Sequence, residues 1–245
     1  MRRAVALAGL ALAAVGCVAR ATPSTPDRAD LIRGILASTV QLKSEQEAGA
    51  RRAGSGVVVA VDRRAGRTWI VTTRHFIQPS LPQPVYIRQP GRTSMLPATV
   101  AFVSHESDLA IIETEYLDVP PARLKNVATL GDEILLVAYP WGQRFTVVRG
   151  VVSQIEARHG ELPVTGTARM VSATVSYGSS GGGVFDAETG ELVGIVESFR
   201  TAKVAIPEMK DRVLEVPVAG ETTIISARVI AGFLADSGLK AFLAR

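Results

Sequence analysis

Cysteine is nearly absent from the 245-residue chain: there is one, Cys17. A lone cysteine excludes an internal disulfide framework and any zinc site made of paired thiolates. Histidine is almost as scarce, at three (His75, His105 and His159), and no HExxH pair occurs. No metal and no other cofactor is therefore expected. The chain also lacks a strong excess of charge. Its formal net charge is +4, and setting aside Arg2 and Arg3 of the N-terminal leader leaves 25 basic against 23 acidic side chains. That balance argues against nucleic acid as a partner. The pairs Arg51/Arg52 and Arg63/Arg64 lie in glycine-containing loops and read as solvated turns. What the chain does have is apolar residues, 47% of the total, enough for a sizeable core in one large domain or two small ones.

The first residues, MRRAVALAGLALAAVGCVARA, join a basic start to an apolar run from Ala4 to Val15 and then small residues. This is the layout of an export signal. The run is too short to cross a bilayer, which takes about 20 apolar residues. Ala14-Val15-Gly16-Cys17 resembles the lipobox of bacterial lipoproteins, in which the cysteine is lipidated and becomes the mature N-terminus; leucine is commoner at Ala14. Ala19-Arg20-Ala21 is a competing, ordinary cleavage site, and a chance cysteine in the leader is a further possibility. The lipoprotein reading is preferred because Cys17 has no disulfide or metal-ligand companion. The division expected is a signal peptide over 1–16, a lipidated tether over 17–33 rich in Pro, Ser and Thr, one β unit over 34–118 and a second, with a terminal helix, over 119–245.

From about Asp30 the pattern is one of short apolar or alternating runs. STVQLK, SGVVVAVD, TWIVTT, PVYIRQ, LPATVAFVS, LAIIETE, EILLVAY, FTVVRGVVSQI, ARMVSATVS, ELVGIVES and TTIIS read as strands. So many short strands point to barrels or sandwiches rather than alternating strands and helices. Tyr116 to Asn126, with Pro-Pro, is the natural seam between two halves. Asp30 can cap a short helix over LIRGIL. Ser226 can cap ARVIAGFLAD, whose Val229, Ile230, Phe233 and Leu234 form an apolar face for docking onto a barrel, with Gly238 as the stop.

Ser180 stands in Gly178-Ser179-Ser180-Gly181-Gly182. The same letters satisfy GxSxG, the nucleophile elbow of α/β-hydrolases, but there the histidine follows the serine, and here all three histidines precede it. The order Asp, His, Ser of subtilisins needs a parallel α/β sheet. The order His, Asp, Ser on β-barrels remains. A serine nucleophile needs a base within reach and a third group to orient that base. His75 closes the run TWIVTTRHF, and Asp108 opens DLAII, 33 residues further on; Ser180 follows after another 72. His105, three residues from Asp108, and His159 read as structural histidines.

These segments resemble the chymotrypsin-fold serine proteases, and among them the trypsin-like peptidase domain of HtrA type. Gly54-Ser55-Gly56-Val57-Val58 is similar to the family's GSG-apolar strand, Thr72-Thr73-Arg74-His75 to its TxxH motif, Ser107-Asp108-Leu109-Ala110 to its DLA motif and Gly178 to Gly182 to its GNSGG motif. AYPWGQRFTVVRGVVSQI and GELVGIVES resemble the segments before and after the serine loop. Six landmarks in order, over roughly residues 35 to 235, carry more than any one of them. The resemblance implies an all-β fold of two six-stranded antiparallel barrels with a C-terminal helix. It implies His75 as general base, Asp108 as its orienter, Ser180 as nucleophile and the amides of Gly178 and Ser180 as oxyanion donors, with YGSSGGGVFD as the loop that holds them.

Ser179 replaces the family's usual asparagine, and Gly183 stands where proline or alanine is commoner. Ser179 also cannot play the part of the aspartate that receives a new N-terminus in trypsin zymogens. The position six before the nucleophile is Thr174, without charge, so small or medium apolar side chains are expected before the scissile bond. Glu197, Ser198 and Phe199 are expected to pair with an extended substrate, Ser198 to hydrogen-bond Asp108, and Arg200 to meet acidic substrate residues. HtrA proteins usually carry a PDZ domain, and here the chain ends about one helix after the second barrel.

The function that follows is an exported, lipid-anchored serine endopeptidase of the bacterial cell envelope, facing the periplasm. It would act on exposed or unfolded polypeptides and touch a membrane only through its N-terminal anchor. Two other classes stand beside it: a proteolytically silent trypsin-fold lipoprotein that binds peptides or a partner, and a structural envelope lipoprotein with an accidental GxSGG.

Overall fold

Several apolar runs here are continuous rather than alternating: Val57 to Ala60, Trp69 to Val71 and Leu109 to Ile112 are each buried throughout. Side chains on a strand point alternately to opposite faces, so such a strand must be covered on both. In the computed structural model, which describes residues 27–45, 51–78, 84–205 and 213–243, they are. Val58, Ile70 and Ile112 join Val40, Leu42, Val85 and Ile87 in the interior of one barrel. Val57, Val59, Val71, Leu109 and Ile111 face outward instead, against Leu135, Val137, Phe185, Leu192 and Ile195 of a second barrel. That barrel's own interior holds Ile134, Leu136, Val152, Val171, Val184 and Val196. Each such side chain contributes roughly 1.5–3 kcal/mol on leaving water.

The first barrel is closed in the order β1 (Thr39–Glu45), β2 (Arg51–Asp62), β3 (Arg67–Thr73), β6 (Leu109–Glu115), β5 (Leu96–Val103), β4 (Val85–Arg88). The second closes as β11 (Ala168–Val171), β14 (Val213–Ser226), β13 (Leu192–Ala205), β12 (Gly183–Asp186), β8 (Glu133–Ala138), β9 (Thr146–Ile155). A short pair, β7 (Ala128–Thr129) with β10 (Thr165–Gly166), flanks it. All pairings between these strands are antiparallel, including β4 to β1 and β9 to β11, which close the barrels and remove their edges. The two six-stranded barrels are the fold class expected.

The seam between them is stitched by backbone. Ala122 N–H donates to Val58 C=O, and Lys125 N–H to Leu192 C=O, each at 2.8 Å. The helix α3 (Ala227–Asp236) begins at Ser226, whose Oγ accepts from Val229 N–H at 3.4 Å. Ile230 and Leu234 are buried against the inter-barrel core, Phe233 packs on it, and Val229 is exposed.

Three local features differ from expectation. Helix α1 (Arg28–Ser38) is longer than LIRGIL and reaches into the stretch read as tether; Asp27, not Asp30, caps it, and Asp30 pairs with Arg33 instead. Of ARMVSATVS only Ala168–Val171 is strand. The end of YGSSGGGVFD is not loop: Gly183–Asp186 is strand β12, between β8 and β13. The leader, Cys17 and Ala19-Arg20-Ala21 lie outside the described residues.

Candidate active site

The register of β3 on β6 sets Thr73 opposite Leu109, so the chain leaving β3 meets the residue entering β6. Beyond that pair Arg74 N–H donates to Asp108 C=O at 3.0 Å. The short helix α2 (Arg74–Ile77) then turns His75 onto the Asp108 side chain. Asp108 Oδ1 accepts from His75 N–H at 2.8 Å, and Oδ2 lies 2.5 Å from His75 Nδ1. A carboxylate bound twice by one residue fixes both position and tautomer of the ring: with the proton on Nδ1, Nε2 presents its lone pair. The aspartate side chain is 19% exposed and the histidine 49%, so the pair is shielded on one side and open on the other.

The serine turn belongs to the second barrel but is anchored on the first. Ser55, fully buried on β2, donates its N–H to Ser180 C=O and its Oγ to Gly178 C=O, both at 2.9 Å. The same Oγ accepts from Tyr139 N–H, and Ser55 C=O accepts from Thr72 Oγ1 at 2.8 Å, three residues before His75. Within the turn Gly182 N–H bonds Ser179 C=O, while Gly181 N–H and Gly182 C=O clamp Val196 C=O and N–H, all at 2.8 Å. Gly178 (φ +86°) and Gly181 (φ +79°) take left-handed backbone, and a Cβ on Gly181 would stand 2.1 Å from Ser55 C=O. Only glycine fits there. The N–H groups of Gly178 and Ser180 donate to nothing among the described residues.

The structure thus brings His75 to Asp108, and holds the turn carrying Ser180 and Gly178 against β2, the neighbour of the strand that leads to that pair. Among the described residues it does not join Ser180 Oγ to His75 Nε2 by a hydrogen bond; the partner of Nε2 is Thr73 Oγ1 at 3.5 Å. His105 and His159 are exposed and take no part in the site.

Thr174 is exposed at the mouth of a pocket of about 200 Å³ lined also by Leu136, Ala138, Val175 and Ser179, behind the serine turn. Ser198 does not reach Asp108. Its Oγ bonds Thr223 Oγ1 at 2.5 Å, because β13 carries a bulge between Val196 and Ser198 that reverses which face each residue presents. Arg200 is engaged with Glu221 at 2.9 Å. From Ser198 onward β13 pairs with β14 on one side only. Glu197, the bulged residue, is half-buried. Burial foremost, then the charge of Asp108, push its carboxyl above the usual range, while His75 and Arg169 oppose this.

Sequence reasoning passed over Ser55 and two aromatics beside the turn, Trp141 and Tyr177, which line up with the expected Phe199. Trp141 and Tyr177 are 64% and 61% exposed with ring centroids 5.3 Å apart, and Tyr177 meets Phe199 edge-on at 5.6 Å. Trp141 has the strained φ of +54°, held by its N–H to Tyr177 C=O at 2.7 Å. In the sequence Ser55 stands only within the GSG landmark, which marks a strand and gives no sign of the contacts its hydroxyl makes.

Residues 54–195 match the family model described as trypsin-like peptidase domain. Over 152 residues the chain is 28% identical to the serine endoprotease DegS of Escherichia coli strain K12, covering 59% of this chain and 39% of that one. It is 28% identical over 144 residues to the mitochondrial Protease Do-like 4 of Arabidopsis thaliana, covering 56% and 26%. The matched region thus spans less than half of these relatives' length. Among solved structures, the active form of a protease from M. tuberculosis superposes with a TM-score of 0.63 at 22% identity, covering 96% of this chain and 95% of that one. The serine endoprotease from Yersinia pestis gives 0.63 at 18% identity, covering 86% and 66%. At these identities the likeness is one of fold.

Proposed function

Because the chain belongs to the trypsin-like peptidase domain family, we propose that it is a serine endopeptidase in which Ser180, His75 and Asp108 act together. The observation that carries this is Asp108: its two oxygens hold the backbone N–H and Nδ1 of His75 at 2.8 and 2.5 Å, leaving Nε2 as an oriented base. Ser180 Oγ attacks the scissile carbonyl as Nε2 takes its proton. The carbonyl oxygen becomes an oxyanion, met by the free N–H groups of Gly178 and Ser180. The imidazolium then protonates the departing amine, and water releases the acyl group from Ser180 by the same base. The Ser180 to His75 hydrogen bond forms as substrate seats, since such bonds commonly tighten in the Michaelis complex.

An extended substrate adds to the free side of β13 at Ser198 and Phe199, with Thr174 at the mouth of the pocket before the scissile bond and Trp141, Tyr177 and Phe199 as an apolar wall. Exposed or unfolded polypeptide satisfies these demands. Export by residues 1–16 and lipidation of Cys17 would place the enzyme in the cell envelope, on a tether.

Purified protein should react with a fluorophosphonate probe, and Ser180→Ala and His75→Ala should abolish or nearly abolish labelling while leaving the fold intact by circular dichroism. Folded wild type that fails to label would favour the second reading, a silent peptide-binding lipoprotein, whose support is the absence of a Ser180 to His75 hydrogen bond. Incorporation of labelled palmitate, lost in Cys17→Ala, tests the anchor.

A further inference from the structure

Each of the two free amides of the serine turn shares a peptide plane with a carbonyl that is itself bonded. A trans peptide is planar, so its C=O and N–H point opposite ways, and whatever holds the carbonyl aims the amide. The Ser180 N–H is aimed from inside the turn, by Gly182 N–H donating to Ser179 C=O at 2.8 Å. The Gly178 N–H is aimed from outside it, because Tyr177 C=O accepts from Trp141 N–H at 2.7 Å. Trp141 sits in the short 3-10 turn Pro140–Gly142, closed by Gly142 N–H to Tyr139 C=O and Gln143 N–H to Pro140 C=O, both at 3.0 Å. Its φ of +54° is strained, and such a conformation persists only where neighbours enforce it.

That enforcement comes from the first barrel. Val40 and Leu42 point into the barrel's interior, so Gln41 between them on β1 points out of it. Its Nε2 donates to Gly142 C=O at 2.6 Å and to Gln143 C=O at 3.3 Å. Arg88, opposite Gln41 on β4, adds only an exposed bond of 3.4 Å to Gln143 C=O. Gln41 is fully buried, and its Oε1 has no partner among the described residues. A buried acceptor left unpaired is destabilising, so what this amide contributes lies in its donor.

Resting on the protease reading above, we propose that Gln41 is a positioning residue of the oxyanion pocket: from the first barrel it fixes the turn at Trp141, and through Tyr177 C=O it aims the Gly178 N–H at the oxygen that becomes charged. Glycine accepts either sign of φ, so once Trp141 N–H shifts, the peptide between Tyr177 and Gly178 can turn and its N–H leaves the pocket. The loss falls on the charged transition state, since a donor aimed where charge develops acts mainly there.

The test compares the full chain as wild type, Gln41→Met, Gln41→Leu and Leu42→Ala. Leu42 is the control, fully buried on the same strand but in the barrel interior. At saturating fluorophosphonate the labelling rate constant should fall about tenfold or more in both folded Gln41 variants, with the probe concentration for half-maximal rate little changed. Leu42→Ala, though less stable, should label as wild type does. An unchanged rate constant in either folded Gln41 variant overturns the inference, as does an equal fall in Leu42→Ala. If methionine prevents folding, leucine gives the same decision. Hydrogen exchange of the Trp141 N–H, followed by NMR, reads the turn without any chemistry: its protection relative to the barrel strands should drop about tenfold or more in the Gln41 variants. Wild type that never labels overturns the protease reading, and unchanged Trp141 protection then overturns the role of Gln41 separately.

Discussion

At the scale of single residues, Ser55 shows how much one buried hydroxyl can organise. Its Oγ donates to Gly178 C=O and accepts from Tyr139 N–H, and its backbone holds Ser180 and Thr72. Ser55→Ala keeps the strand but strands a buried acceptor and a buried donor, at a cost of roughly 2–3 kcal/mol. Labelling of Ser180 should fall further than that loss of stability accounts for, by roughly tenfold or more in protein still fully folded; equal labelling rates would show that the turn holds its shape without Ser55. Residue identity made His75, Asp108 and Ser180 legible as candidates, because their order and types are readable without geometry. Ser55 was not, since a serine between glycines carries no sign of which carbonyls it will meet. The expected bond from Ser198 to Asp108 failed for a related reason: one extra residue at Glu197 reverses the faces beyond it, and a bulge is invisible in a string of letters.

At the scale of elements, the turn between β12 and β13 depends on Asp186. Burial alone would raise its carboxyl, but bonds from the Lys125 ammonium and from the N–H groups of Thr189 and Glu188 outweigh that and hold it below its ordinary value of 3.8. Lys125 also bonds Asp132 at 2.9 Å, tying the barrel seam to the start of β8. A carboxyl depressed in the folded state stabilises fully above its unfolded value, and that stabilisation is lost as pH falls through the folded one. Asp186→Asn should therefore cost roughly 2–4 kcal/mol near neutrality, since it leaves Lys125 with one carboxylate fewer. The gap from wild type in thermal or urea unfolding should close below about pH 4; a gap constant down to acid would refute this account. The strands covered on both faces were plain in the sequence as unbroken apolar runs. Strand β12 was hidden because Gly183 carries no side chain to mark it and its neighbours had been assigned to the serine loop.

At the scale of the whole molecule, the inter-barrel core decides whether the site exists. Ile111 is fully buried and faces Leu135, Val137 and Ile195 across the seam, not its own barrel's interior. Ile111→Ala should destabilise by about 2–4 kcal/mol, and the unfolding transition should stay single, because neither barrel can expose that face alone. Two resolved transitions in calorimetry would mean the barrels are separable. That the chain makes two β halves could be read from strand spacing and the Pro-Pro seam; that they share a third core could not, since periodicity says a strand is covered twice but not by what. One consequence concerns how the chemistry is divided. His75 and Asp108 stand on the first barrel, Ser180 and the free amides of Gly178 and Ser180 on the second, and Ser55 reaches across. Split at the seam, the polypeptide would yield two fragments each holding half of the proposed triad, and any reactivity of Ser180 in their mixture would measure how well the halves find each other.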